Sequence, residues 1–262
     1  MTPSTPSIAR TFRIGGDRAV NRLGFGAMRL TGRPGNFGPF EDWDAGIRLL
    51  RRAADLGIEF FDSARAYGPQ HADRIVGEAL EGRDAFLATK GGIDKFAPDR
   101  MKRDGSRDTL QREIDDALAN LRRDRIDLFQ LHWVDPETPL ERSVEALAEA
   151  QADGRVRHIG LSNVSREELD RALAIAPIAS VQNRFNMDET EQGALVDYTA
   201  GKGIAFIPYG PLGAHPMKQG AALSPRAALA WLLERSPNTV VIPGTTSIAH
   251  LEENAGVWNE LA

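Results

Sequence analysis

The 262-residue chain has no cysteine. Disulfides, thiolate nucleophiles and cysteine-based metal sites are therefore excluded, and a reducing compartment is permitted. A basic excess is missing too. The net charge is -5 and the pI is near 5.6, so there is no cationic stripe of the kind that binds nucleic acid or an anionic membrane surface. No apolar run approaches membrane-spanning length, and the opening "MTPSTPSIART" has no basic region followed by an apolar stretch. Residues 1–10 are expected to be a short disordered tail on a cytoplasmic protein whose partners are small molecules. His71, His158, His215 and His250 show neither a two-residue metal spacing nor an H-E-x-x-H pattern, so no metal site is expected.

What the chain does contain is a regular alternation of apolar, strand-like runs with amphipathic segments, the pattern of repeated βα units around a parallel sheet. The runs are "RLGFGAM", "IEFFDSA", "AFLATKG", "IDLFQLHW", "VRHIGLSN", "SVQNRFN", "IAFIPYG" and "TVVIPG". They fit an α/β fold of the (β/α)8 TIM-barrel type, with residues 11–262 as one domain. A Gly-Gly-Asp turn in "RTFRIGGDRAVNRL" predicts an N-terminal β-hairpin placed to cap the barrel floor. Leu110, Ile114, Leu118 and Leu121 make one helical stripe. Thr138 with Glu141, and Ser165 with Glu168, read as capping boxes, and Ser224-Pro225 reads as a helix start. An open doubly wound sheet would use the same alternation. Its nucleotide fingerprint is incomplete, however, because "GFGAMR" has Arg29 where the third glycine belongs.

In a barrel, residues at the carboxyl ends of strands converge on one mouth. Asp62 ends the second candidate strand, Lys90 the third and His132 the fourth, and Tyr67 follows Asp62 by five residues. Each alone reads as a turn, surface or structural residue. Together they supply what carbonyl reduction needs, a proton donor at an oxygen that gains negative charge as hydride arrives. A tyrosine has a pKa near 10, and a neighbouring lysine charge is expected to lower Tyr67 toward the working range. Asp62 would keep Lys90 charged, and His132 would donate a second hydrogen bond to the carbonyl.

The stretches "FFDSARAYG", "ATKGG", "LFQLHW", "HIGLSN", "VQNRFN" and "IPGTTSIAHLEEN" resemble, in order, the motifs of the aldo-keto reductases over roughly residues 19 to 257. By that resemblance Asp62, Tyr67, Lys90 and His132 are the catalytic tetrad. Ser162, Asn163 and Gln182 would meet a nicotinamide carboxamide. Tyr209 would stack on its ring, with Gly210, Pro211, Leu212 and Gly213 along the pyrophosphate. Gly26, Ala27 and Met28 would also border the cofactor. Gly244, Thr245, Thr246, His250, Glu253 and Asn254 fall in the region of the adenosine phosphate. Gly244 and His250 stand where many relatives carry lysine and arginine, which leaves NADH open beside the favoured NADP(H). Substrate contacts are expected from Met28, Arg29, Arg65 and Trp133, with Phe96 nearby. A short stretch between Gly213 and Ser224 and the end at "WNELA" imply an open pocket. The implied activity is reduction of an aldehyde or ketone, pyridoxal or a sugar being suggested. The alternatives are a nicotinamide-binding sensor without turnover and a Schiff-base aldolase built on Lys90.

Overall fold

The computed structural model describes residues 8–212 and 224–261. The chain opens with the expected antiparallel hairpin, β1 (Thr11–Ile14) and β2 (Arg18–Asn21). Three strands follow: β3 (Phe25–Gly26), β4 (Phe60–Asp62) and β5 (Phe86–Gly91). An antiparallel pair that the sequence reading did not foresee, β6 (Ile93–Ala97) and β7 (Arg100–Arg103), then stands on the loop after β5. The wall resumes with β8 (Ile126–Leu131), β9 (Val156–Ser162), β10 (Ile178–Gln182) and β11 (Ala205–Phe206). Seven strands form one sheet in the order β3, β4, β5, β8, β9, β10, β11. Neighbouring strands are parallel.

The eighth unit closes the barrel without forming a continuous strand. Thr239 bridges Phe206 of β11 on one side and Val241 bridges Leu23, just before β3, on the other, both in parallel. Val240 donates to the Phe206 carbonyl at 2.9 Å, and Val241 N and O bond Arg22 O and Gly24 N at 2.8 Å each. The ladder stops at Pro243, which has no N–H to give. Two glycines make this seam tight. A Cβ on Gly26 would lie 2.7 Å from the Ile242 carbonyl, and one on Gly244 would lie 2.6 Å from the Gly26 carbonyl.

Helices cover the outside: α1 (Trp43–Asp55), α2 (His71–Leu80), α3 (Arg107–Leu121), α4 (Leu140–Ala152), α5 (Arg166–Leu173), α6 (Gly193–Gly201), α7 (Pro225–Arg235) and α8 (Ile248–Ala255). The Ser165 and Glu168 box is complete at the start of α5, and Ser224 Oγ accepts from Ala227 N at 3.2 Å to start α7. Thr138 behaves differently from the expectation. It lies one residue too early to cap α4, whose N-cap is Pro139, and its hydroxyl donates to Asp135 at 2.7 Å.

Alternation along each strand separates two apolar cores. One lies between strands and helices. The other fills the barrel, where Phe60, Phe86, Ala88, Leu128, Ala205 and Val240 pack with Ile14 and Val20 of the hairpin. The hairpin thus plugs the floor. Each fully buried Val, Leu, Ile or Phe among them contributes roughly 1.5–3 kcal/mol of hydrophobic stabilisation.

Arg22, between the hairpin and β3, is 1% exposed. Its guanidinium donates to the carbonyls of Thr239 (2.9 Å), Ala9 (2.9 Å), Leu233 (2.6 Å) and Ser236 (2.5 Å). Burial lowers its pKa to about 10, which still leaves it charged at neutral pH. Arg22→Leu strips partners from four carbonyls at the seam and is expected to lower unfolding free energy by about 3 kcal/mol or more. Urea titration checks this, and a loss below about 1 kcal/mol would show that the seam does not depend on Arg22.

Candidate active site

The strand ends meet at a cavity of about 440 Å³. Asp62 enters it from the last residue of β4, and Tyr67 from the loop that follows. Lys90 sits one residue before the end of β5, and His132 follows β8 directly. The loop after β4 is held against β5 by two backbone bonds, Ser63 N to Ala88 O at 2.8 Å and Arg65 N to Lys90 O at 3.0 Å. These bonds bring the Tyr67 segment alongside Lys90.

Lys90 is 1% exposed and Asp62 2%. The ammonium donates to Asp62 Oδ2 at 2.6 Å and to the Ser63 carbonyl at 2.8 Å, leaving a third N–H. It lies 5.2 Å from the centroid of the Tyr67 ring. The Tyr67 and His132 rings meet edge to face with centroids 5.8 Å apart. Burial works against the Lys90 charge, but Asp62 and Tyr67 outweigh it and hold the ammonium above its ordinary pKa. A lysine so held is a poor amine nucleophile, which removes the basis for a Schiff-base aldolase.

Tyr67 departs from the expected direction. Burial raises its pKa, Asp62 adds to that, and the lowering by Lys90 does not overcome the sum. At neutral pH it is therefore a phenol with its proton in place. Burial, then the Lys90 charge, pushes His132 well below the usual histidine range, so the ring is neutral. Its Nδ1 is buried without a partner among the described residues.

The polar residues beside these four form one connected chain. Gln182 Nε2 donates to Asp62 Oδ1 at 2.8 Å, and Ser162 Oγ donates to the Gln182 carbonyl at 2.9 Å. Asn163 Nδ2 donates to Ser162 Oγ at 3.0 Å and to the His132 carbonyl at 3.1 Å. Asn163 Oδ1 in turn accepts from the Tyr209 hydroxyl at 2.8 Å. Gly26, Met28, Ser162, Asn163, Gln182, Tyr209, Gly210, Pro211, Leu212 and Gly244 all line the cavity, as do Arg29 and Trp133.

Other expected residues lie elsewhere. Ala27 is fully buried in the short 3-10 turn Ala27–Arg29. Thr245 is buried and accepts from Ser247 N at 3.0 Å, Asn254 is buried, and Thr246, His250 and Glu253 are exposed around α8, away from the cavity lining. Gly213 and the short stretch after it lie outside the described residues.

Two substrate expectations are corrected. Arg65 does not line the cavity, because its guanidinium is drawn to α3 by Glu113 at 3.0 Å and Asp116 at 2.6 Å. Phe96 is 54% exposed on β6 beside Arg100 and does not reach the cavity. Arg184, Ile242 and Pro243 line the cavity without having been foreseen. Arg184 follows Gln182 by two residues on the same strand end, a spacing that could have pointed to it.

The model of the aldo/keto reductase family matches residues 22–224. The chain belongs to this family. The pyridoxine 4-dehydrogenase of Escherichia coli is 41% identical over 264 residues, spanning 94% of this chain and 92% of its own. Among solved structures, the glycerol dehydrogenase of Gluconobacter oxydans shares the fold with a TM-score of 0.83 at 24% identity, over 96% of this chain and 94% of its own. An aldo/keto reductase of Klebsiella pneumoniae, solved with NADP and acetate, gives a TM-score of 0.78 at 23% identity over 96% and 90%. As a member of this reductase family the chain is an NAD(P)H-dependent oxidoreductase acting on carbonyl groups.

The cavity fits such a cofactor chemically. Asn163 and Gln182 carry both donors and acceptors; Asn163 now bonds Ser162, the His132 carbonyl and Tyr209, and Gln182 bonds Asp62, so a carboxamide can take over some of those bonds. The buried ion pair gives a test independent of turnover. Lys90→Met leaves the Asp62 carboxylate buried and unpaired and should cost about 3–5 kcal/mol. Adding Asp62→Asn should recover most of that loss, as read by thermal unfolding. A double variant no more stable than Lys90→Met would contradict this account of the pair.

Proposed function

We propose that the protein is an NADPH-dependent reductase of small aldehydes, in which Tyr67 is the proton donor and an aromatic aldehyde such as pyridoxal is the substrate. The observation that carries this reading is the phenol of Tyr67 held at the cavity mouth beside a buried Lys90–Asp62 pair and a neutral His132. When bound, the nicotinamide supplies a hydride to the carbonyl carbon. The residues of the chain handle the oxygen.

His132, neutral and close to Tyr67, orients the carbonyl oxygen with a hydrogen bond. Tyr67 delivers its proton as negative charge develops there. The ammonium of Lys90 stabilises the phenolate left behind, at a distance where burial keeps the charge interaction strong. Asp62 keeps that ammonium charged and, through Gln182, ties it to the residues proposed to hold the cofactor.

Pyridoxal is favoured over a sugar on two grounds. The cavity lining includes Met28, Trp133, Tyr209 and Leu212, which suit a flat ring. The relative at 41% identity is a pyridoxine 4-dehydrogenase. The choice of NADPH is supported by the NADP held in the Klebsiella relative. It is also supported by the hydroxyls of Thr245, Thr246 and Ser247 before α8, which can meet a phosphate although no lysine or arginine stands at positions 244 and 250.

Oxidation of NADPH followed at its absorbance band, against pyridoxal, benzaldehydes and sugars, tests the assignment. Tyr67→Phe should lose at least about a thousandfold in kcat, while cofactor binding read by tryptophan fluorescence stays within about twofold. Because the pKa of Tyr67 is raised, its acid form persists through neutral pH. Reductive turnover should therefore hold through neutral pH and fall only once the pH passes the ordinary tyrosine range. Full activity in Tyr67→Phe would remove it as proton donor, and cofactor binding without turnover of any carbonyl would favour a sensor.

A further inference from the structure

Glu113 is a buried carboxylic acid, 2% exposed, that the chemistry above does not use. It lies on the inner face of α3, one turn from Asp116 and two from Asn120, so the three form a polar stripe at helical spacing. Each member of the stripe holds the segment that carries Tyr67. Arg65 Nη1 donates to Asp116 at 2.6 Å, and Arg65 Nε lies 3.0 Å from Glu113 Oε1 as a charge contact without hydrogen-bond alignment. Asn120 donates to the Gln70 side chain at 2.7 Å, and Gln70 N in turn donates to the Arg65 carbonyl, also at 2.7 Å. Tyr67 thus sits between two points fixed to the same helix.

The second oxygen of Glu113 reaches the neighbouring strand end. Its Oε2 accepts from Gly92 N at 2.6 Å, two residues after Lys90. One carboxylate therefore touches both the loop after β4 and the loop after β5, the two segments that set the separation of Tyr67 and Lys90. Space there is tight, since a Cβ on Gly91 would lie 2.7 Å from Glu113 Oε2.

We infer that Glu113, acting through Arg65 and the Gly92 amide, is a positioning residue that sets the placement of Tyr67 against Lys90 and thereby the rate of proton delivery. The inference rests on Tyr67 acting as the proton donor. Proton transfer falls steeply with misplacement, so loosening this clamp lowers kcat more than it affects binding. Groups acting on the carboxyl are Arg65 from the loop, Asp94 from β6 and Arg112 from α3, while Asp116 shares Arg65 with it. Burial raises Glu113 to about 7, against the lowering effects of the Gly92 bond and Arg65. As pH falls through that value Glu113 takes up a proton, the ion pair with Arg65 weakens, and kcat should drop on the acid side.

Glu113→Gln keeps the shape and removes both the charge and the titration. Expected are a loss of about tenfold in kcat, with KM and cofactor Kd within about twofold, disappearance of the acid limb near pH 7, and faster amide hydrogen exchange in residues 63–70. Arg65→Met should lower kcat similarly, and the double variant should be no worse than the poorer single one. Unchanged kcat in Glu113→Gln, an acid limb that survives the substitution, or additive losses in the double variant would overturn the inference. If the wild-type protein turns over no carbonyl, the reductase reading fails. The exchange experiment still decides whether Glu113 holds the loop, and unaltered exchange at 63–70 would sink the clamp by itself.

Discussion

The ion pair between Lys90 and Asp62 is the constraint around which the mouth of this barrel is arranged. Two opposite charges almost wholly removed from water persist only when each has further partners. Here the ammonium also binds the Ser63 carbonyl, and the carboxylate accepts from Gln182. Those secondary bonds run outward through Ser162, Asn163 and Tyr209. A change at the aromatic end of the chain is thereby connected, bond by bond, to the group that faces Tyr67. The net result at neutral pH is a phenol, an ammonium and a neutral imidazole, three different protonation behaviours in one small volume.

The fold was largely readable because its signals are local and periodic. Eight apolar runs, the Gly-Gly-Asp turn, and caps such as Ser165 and Ser224 all correspond to elements of the structure. What escaped reading has either a weak local pattern or partners chosen only once the chain is folded. The pair β6 and β7 has a weak alternation and mostly charged residues, so its pattern resembles a loop. Arg22 looks like any surface arginine until the seam encloses it. Thr138 reads as a cap, and only the folded backbone turns its hydroxyl toward Asp135 instead.

The site divides in the same way. Strand-end positions point to Asp62, Lys90 and His132 as neighbours, because strand direction is fixed by the fold class, and the family resemblance adds Ser162 and Gln182. Side-chain direction on loops is not. Arg65 could have faced the cavity or the helix, and two carboxylates on α3 decide for the helix. The net pKa of Tyr67 was likewise unreadable, since the balance between burial and a nearby cation is a property of the assembled site.

Closure of the barrel has a consequence for how the chain reaches this structure. Arg22 binds carbonyls as far as 217 residues away, and the parallel bridges at Leu23 and Val241 span a similar separation. Such contacts repay their loop-closure entropy only after most of the wall exists. During synthesis the early units emerge with an open sheet edge at β3, which stays unpaired until residues 239–242 arrive. For that interval the nascent protein is at its most exposed to edge-to-edge association.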